Sequence, residues 1–267
     1  MTTNGRVPLA VADGVAGLRL VRAEARNAID PAMVTALGAA VQVCADDSAV
    51  RAVLISAEGP AFTVGGDLRY LATRADDLDD ALEEMIPQFH CALARLAALD
   101  VPVVCAVQGA IAGGGLGLAW VADLVLAAED ALFATGFAQI GLSGDGGSTW
   151  FLPRLVGLRR AQELVIGGRV LTAAEALDWG LVTRVVPCAE LDAEAEALAA
   201  RFAAGPTVAL AHMRRLLRRS WGATLEEQLD AERAAMRACG GTADAREGVA
   251  AFVERRSPRF RGGRELR

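Results

Sequence analysis

The groups in this sequence with the best claim to do chemistry are backbone amides. Two glycine-rich runs, AFTVGGDL at 61–68 and QGAIAGGGLGL at 108–118, each follow an apolar stretch that reads as a β-strand. A glycine turn from strand to helix leaves peptide N–H groups uncovered, and two such turns converging on one carbonyl oxygen would stabilise the charge that develops there. The second run also opens a helix, whose positive end adds to the effect. Read from the residues alone, each run equally allows the plainer role of letting a helix pack closely on a strand. Nucleotide chemistry is poorly served. No spacing within 113–118 completes GxGxxG, and a Walker loop needs a lysine, whereas all 27 basic residues are arginine.

Conventional acids, bases and nucleophiles are sparse. GLSGD at 141–145 lacks the final glycine of GxSxG, so Ser143 is a poor hydrolase nucleophile. The same loop offers Asp145, set among glycines shortly before Trp150 and Phe151. There a carboxylate could lie against an apolar substrate, where burial raises its pKa toward the working range of a proton carrier. The flanking glycines and Ser148 also fit a turn or cap aspartate. The two histidines, His90 and His212, fall in aliphatic, helical-looking segments and read as structural. Five scattered cysteines with no CxxC pair point to neither zinc nor a redox pair nor a disulfide framework, and fit a reducing cytoplasm.

The elements that must hold these groups are legible in outline. With 267 residues, 53% apolar and 22% charged, the chain can bury a large core. A net charge of −6 gives no footprint for a polyanion, so nucleic acid is not an expected partner. The opening MTTNGRVPLAVADG lacks the basic region and apolar run of a secretory leader. Residues 101–122 carry no charge for long enough to cross a bilayer. Pro102, Gln108 and the glycines nevertheless make them a poor lipid-facing helix and a good buried strand, turn and helix, so no membrane association is expected. Asp13-Gly14 marks a hairpin turn, and Asp30-Pro31 starts a helix to about residue 45. Strands at 50–57, 101–107 and 123–128 alternate with helices, one of them long (79–99), as in a parallel α/β sheet. Beyond about residue 148 the pattern turns helical, with one short strand at 183–186. This predicts an α/β core over 1–200 and a helical segment over 201–267.

Six segments in order resemble the crotonase superfamily of enoyl-CoA hydratases and isomerases over nearly the whole chain. They are EARNAID at 24–30, AFTVGGDL, AVQGAIAGGGLGLAWVAD at 106–123, FLPRLVG at 151–157, AAEALDWGLVTRVVP at 173–187 and EGVAAFVERRSPRF at 247–260. The resemblance implies an α/β, crotonase-like spiral of ββα units, followed by helices that build a homotrimer, often paired into a hexamer. It implies an acyl-CoA thioester as substrate, with its carbonyl held by the N–H groups of Gly66 and Gly114. Coenzyme A then arrives as part of the substrate, and no metal or separate cofactor is implied. Asp67, after Gly66 at a helix start, reads as a cap. Arg69 matches a position that touches CoA phosphate, and Phe252 and Arg255 match positions that reach a neighbouring subunit's adenine nucleotide. Glu24 stands where relatives usually carry a basic residue.

Hydratases place glutamates where this chain has Gly117 and Phe137, neither of which can exchange a proton. Asp145 instead matches the catalytic aspartate of ring-epoxide and double-bond isomerases. The expected enzyme is a cytoplasmic acyl-CoA isomerase or lyase, with Gly66 and Gly114 as oxyanion donors and Asp145 as the single proton shuttle. Phe62, Phe137 and Trp150, with Phe151, are expected to line an apolar acyl pocket. The alternatives are a hydratase that uses Asp145 with a water, a thioester hydrolase or decarboxylase, and a catalytically silent acyl-CoA-binding protein.

Overall fold

The computed structural model describes residues 5–263. The chain opens with the hairpin of β1 (Leu9–Ala12) and β2 (Val15–Leu20), turned by Asp13 and Gly14 at positive φ. Helix α1 (Pro31–Asp46) follows, with proline in its first turn and the Asp30 carboxylate accepting the Met33 N–H at 2.8 Å. A unit then recurs three times, in which a strand is followed by a very short second strand and then by helix. The strands β3 (Ala52–Ala57) and β4 (Ala61–Thr63) lead to α2 (Leu68–Thr73) and α3 (Leu78–Ala98). Next, β5 (Val103–Val107) and β6 (Ala110–Ala112) lead to α4 (Leu116–Trp120). Then β7 (Leu124–Ala128) and β8 (Leu132–Ala134) lead to α5 (Ser148–Val165).

The longer strands form one sheet in the order β1-β2-β3-β5-β7-β10, closed by β10 (Arg184–Val186) and parallel beyond the opening hairpin. The short strands form a second sheet, β4-β6-β8-β9, where β9 is Val170–Thr172. Winding between the two sheets is the expected ββα spiral. The second sheet was not expected from the sequence, because its three-residue strands cannot be told from the glycine turns beside them.

Both faces of the large sheet are covered, as a parallel sheet requires. Val53, Ile55, Val103 and Cys105 point toward α1 and α3, while Leu54, Val104, Ala106 and Leu126 point toward α7 (Leu191–Ala203). Between β9 and β10 lies α6 (Ala173–Asp178), started by a capping box of Thr172 and Glu175. Residues 101–122 form β5, β6 and α4, and no helix among the described residues is long and apolar enough to cross a membrane.

The C-terminal helices are α8 (Thr207–Arg219), α9 (Leu225–Gly240) and α10 (Ala243–Glu254). Arg214 of α8 is buried and fastens this segment to the core. Its guanidinium pairs with Asp123 at 2.7 Å and donates to the carbonyls of Leu96, Ala97 and Leu99 at the end of α3. Those carbonyls are the ones a helix C-terminus leaves without partners, and a buried cation there also meets the negative end of the helix dipole.

Candidate active site

Each peptide donor sits in the turn that leaves a short strand. After β4 the chain turns through Gly65, at φ +83°, into Gly66; after β6 it turns through Gly113, at φ +54°, into Gly114. Glycine occupies this left-handed region without the penalty a Cβ would bring. The turns also touch each other. A Cβ on Gly65 would stand 2.9 Å from the Ala112 carbonyl oxygen and 3.2 Å from Gly113 Cα, and one on Gly115 would overlap the Thr63 side chain. Larger residues at these places would drive the turns apart. Glycine brings Gly66 and Gly114 to the wall of one cavity of about 580 Å³.

Neither donor is committed elsewhere. Among the described residues, no acceptor faces the Gly66 N–H. The Gly114 N–H belongs to the first turn of a 3-10 helix, Gly113–Gly115, whose leading donors have no intrahelical partner. Two unpaired donors on the wall of an apolar cavity are the kind of groups an oxyanion site uses.

Asp145 comes to the same place. Its Oδ2 lies 2.8 Å from the point that a Cβ on Gly114 would occupy, so the carboxylate rests against that turn only because Gly114 has no side chain. The loop carrying it is closely seated: a Cβ on Gly146 would overlap the Gly114 carbonyl, and one on Gly117 would overlap the Gly146 carbonyl. The position at which hydratases carry a glutamate is therefore closed by the Asp145 loop, and any side chain at Gly117 would displace it. Phe137 at the other such position is nearly buried and lines the cavity.

His90 is the residue the sequence reading placed wrongly. Expected to be structural, it lines the cavity, and its Nε2 lies 2.6 Å from Asp145 Oδ1. With Asp145 ionised, the imidazole makes this contact as a hydrogen bond only with its proton on Nε2. One carboxylate oxygen is then held by His90, and the other is presented beside Gly114. The available signal was spacing along α3. Leu82, Met85, Ile86 and Phe89 also line the cavity, and His90 follows Ile86 by four residues on that stripe. His90 and Asp145 are the only titratable side chains among the described lining residues.

The other expected site residues divide. Asp67 is the N-cap expected of it: its Oδ1 accepts the N–H groups of Arg69 and Tyr70, and its Oδ2 pairs with Arg22 at 2.6 Å. Burial acts to raise its pKa, but the Tyr70 N–H and the Arg22 guanidinium together outweigh that and hold the carboxyl below its ordinary range. Arg69 is exposed on α2, and Phe252 and Arg255 are exposed at the end of α10; none of the three lines the cavity. Phe62 and Trp150 are not in the pocket either. Phe62 sits in β4 with no exposed surface, on the core side of the strand. Trp150 faces outward on α5, stacking edge-on with Phe151 and Trp221 under the Arg154 guanidinium. The apolar wall expected of those rings is supplied by α3, by Phe137 and by aliphatic residues such as Ile29, Val34, Leu71 and Leu142. Among the described residues, no three His, Cys, Asp or Glu side chains gather as a metal ion would need.

Comparison with known proteins agrees with the fold. Residues 10–263 match the enoyl-CoA hydratase/isomerase family. The chain is 37% identical to the 1,2-epoxyphenylacetyl-CoA isomerase of Escherichia coli (strain K12), over 94% of this chain and 97% of the relative. It is 32% identical to a 4-chlorobenzoyl coenzyme A dehalogenase of an Arthrobacter species, over 73% of this chain and 71% of the relative. Among solved structures, an enoyl-CoA hydratase from Polaromonas sp. JS666 superimposes with a TM-score of 0.91 at 32% identity, covering 96% of this chain and all of that one. With its ββα spiral and its paired glycine turns, the chain belongs to the enoyl-CoA hydratase/isomerase family, within the crotonase superfamily its motifs resemble.

Proposed function

We propose that this protein is an acyl-CoA isomerase that moves a proton within the acyl group of a thioester, with coenzyme A entering as part of the substrate and no further cofactor taking part. The observation that carries the reading is that one carboxylate, Asp145 Oδ2, lies against the donor turn at Gly114, while the two positions of the hydratase acids hold Gly117 and Phe137. The Gly66 and Gly114 N–H groups receive the thioester oxygen. As Asp145 takes a proton from one carbon, the bonding electrons move onto that oxygen and form an enolate that the two donors stabilise. Asp145 then returns the proton to a different carbon, and the double bond has moved. His90 keeps the carboxylate turned so that the same oxygen performs both transfers. Hydration asks for more: a group to deprotonate a water at the β-carbon and a second to protonate the α-carbon.

The expected result is measurable double-bond migration in an enoyl-CoA, hydration weaker by about tenfold or more, and loss of both on Asp145→Asn, which keeps the shape but not the base. Robust hydration of a 2-enoyl-CoA that survives Asp145→Asn would return the enzyme to the hydratases.

A second reading is favoured by His90 specifically. A carboxylate with an imidazole at 2.6 Å can act as a nucleophile, with the histidine as base in a later step. On a 4-chlorobenzoyl thioester, Asp145 would displace chloride from the ring carbon to form an aryl ester. Water would then cleave that ester, His90 accepting its proton. Chloride release from 4-chlorobenzoyl-CoA without double-bond migration in enoyl-CoA substrates would select this reading.

A further inference from the structure

The oxyanion reading depends on the direction in which one peptide points, and the structure contains a device that sets it. The Ile29 N–H donates to the Gly65 carbonyl at 2.8 Å, and the Asp67 N–H donates to the Ile29 carbonyl at 2.9 Å. In a planar trans peptide, C=O and N–H point in opposite directions. With the Gly65 carbonyl fixed on Ile29, the Gly66 N–H of the same peptide must turn away from residues 28–30. The donor is thus aimed by one backbone bridge to the Gly65 carbonyl, at the end of a loop contact that also includes the Val64 N–H to the Arg26 carbonyl at 3.2 Å, and a single bond on that peptide is weak against rotation.

One guanidinium nitrogen spans that bridge. Arg22 Nη1 lies 2.6 Å from Asp67 Oδ2, donates to the Ala28 carbonyl at 2.8 Å, and lies 3.3 Å from Asp30 Oδ2. Residues 28 and 30 flank Ile29, and residue 67 follows Gly66, so the cation grips both sides of the bridge. The pair is largely withdrawn from water, with 15% of the Arg22 side chain and 8% of the Asp67 side chain exposed. Charge-assisted bonds are stronger there than on the surface. Fully buried Asn27 secures the base of the same loop: its Oδ1 accepts the Arg22 N–H at 2.7 Å, and its Nδ2 donates to the carbonyls of Glu58 and Ala61. Thr63 donates to the Asn27 carbonyl and accepts the Gly65 N–H, which closes the frame around the turn.

We infer that Arg22, through Asp67, is a positioning residue for the reaction: it holds the Gly65–Gly66 peptide so that the Gly66 N–H meets the thioester oxygen. Arg22 does not line the cavity and touches no reacting atom. The inference rests on the oxyanion reading above and adds the residue that aims one of its two donors.

The test reads carbonyl polarisation directly. The probe is 4-methylbenzoyl-CoA, which has no proton on the carbon next to the carbonyl and no leaving group, carried with a 13C-labelled thioester carbonyl and observed by isotope-edited infrared spectroscopy. Wild-type protein should lower the carbonyl stretch on binding. Arg22→Met should bind the probe within about threefold of wild type, lose at least half of that shift, and lower kcat for double-bond migration about tenfold or more with little change in KM, because a misaimed donor costs far more in the transition state than in binding. Arg22→Lys should recover part of both. Should Arg22→Met fail to fold, Asp67→Asn makes the same decision, since asparagine keeps the cap acceptor but abolishes the ion pair. A folded Arg22→Met or Asp67→Asn protein with the full wild-type shift and kcat overturns the positioning role and leaves the oxyanion reading standing. Absence of any shift in the wild type overturns the oxyanion reading and this inference with it.

Discussion

At Gly114, the proposed mechanism asks two things of one residue, and they can be separated by substitution. It lines the cavity, and the space where its side chain would be is taken by the Asp145 carboxylate. Gly114→Pro removes the donor outright. Turnover should fall about a hundredfold or more while CoA thioesters still bind, as measured by steady-state kinetics beside a binding titration. Gly114→Ala keeps the donor but places a methyl 2.8 Å from Asp145 Oδ2, closer than atoms tolerate, so the carboxylate must shift. That variant should keep the polarised carbonyl of a bound aryl thioester and lose proton transfer by about tenfold or more, in line with the sensitivity of catalysis to displacements near 1 Å. Full activity in a folded Gly114→Pro protein would remove the oxyanion assignment. The turns themselves were legible because glycine runs after strands are conspicuous; the donor role was assigned only with the family resemblance. The Asp145–His90 pair was not legible, because the partners are 55 residues apart and nothing local to either announces the other.

Among the elements, α3 lends the site's apolar wall Leu82, Met85, Ile86 and Phe89 together with His90, and its far end is where the C-terminal helices attach. Arg214 meets three carbonyls at that end and also Asp123, which accepts the Val103 N–H at the start of β5 and lies 3.5 Å from the Arg218 guanidinium. Removing the arginine takes from Asp123 its most buried partner, leaving Arg218 at 3.5 Å, and takes from the Ala97 and Leu99 carbonyls their side-chain donor. Arg214→Ala should therefore cost about 3–5 kcal/mol in chemical denaturation, well above a typical surface substitution; a change below about 1 kcal/mol would show that water replaces these bonds without loss. Elements whose ends carry their own chemistry were readable from sequence. Asp30-Pro31, Thr172 and Thr224 each begin a helix as their side chains predict. Elements defined by partners were not: β4, β6, β8 and β9 have three residues each and exist because they pair with one another. Phe62 was misassigned for the same reason. An aromatic residue beside a glycine turn belongs to the pocket or to the core according to which face of a short strand it takes, and a three-residue strand does not reveal its register.

On the scale of the whole molecule, the C-terminal helices leave a surface that a solitary chain would not keep. On α9, Leu225, Leu229 and Met236 lie on the outside, and on α10, Val249, Phe252 and Val253 recur at helical spacing with Phe252 86% exposed. A helix apolar on its outward stripe has its hydrophobic face toward something other than its own core. We expect that partner to be further copies of this chain, in the trimer or hexamer that the family resemblance implies. Light scattering at micromolar concentration should give a trimeric or hexameric mass. Phe252→Glu should place a charge in the contact, where burial without a partner is strongly unfavourable, and shift the protein toward smaller species that keep their helical content. Because Phe252 and Arg255 match positions that in relatives reach a neighbour's CoA nucleotide, the same substitution should raise KM for an acyl-CoA more than it lowers kcat, since the proposed donors at Gly66 and Gly114 and the proposed base at Asp145 line one cavity of a single chain. A wild-type protein that is monomeric at these concentrations would contradict the assembly. A dissociated Phe252→Glu protein with unchanged KM would leave the assembly intact but take the nucleotide contact away from the subunit boundary.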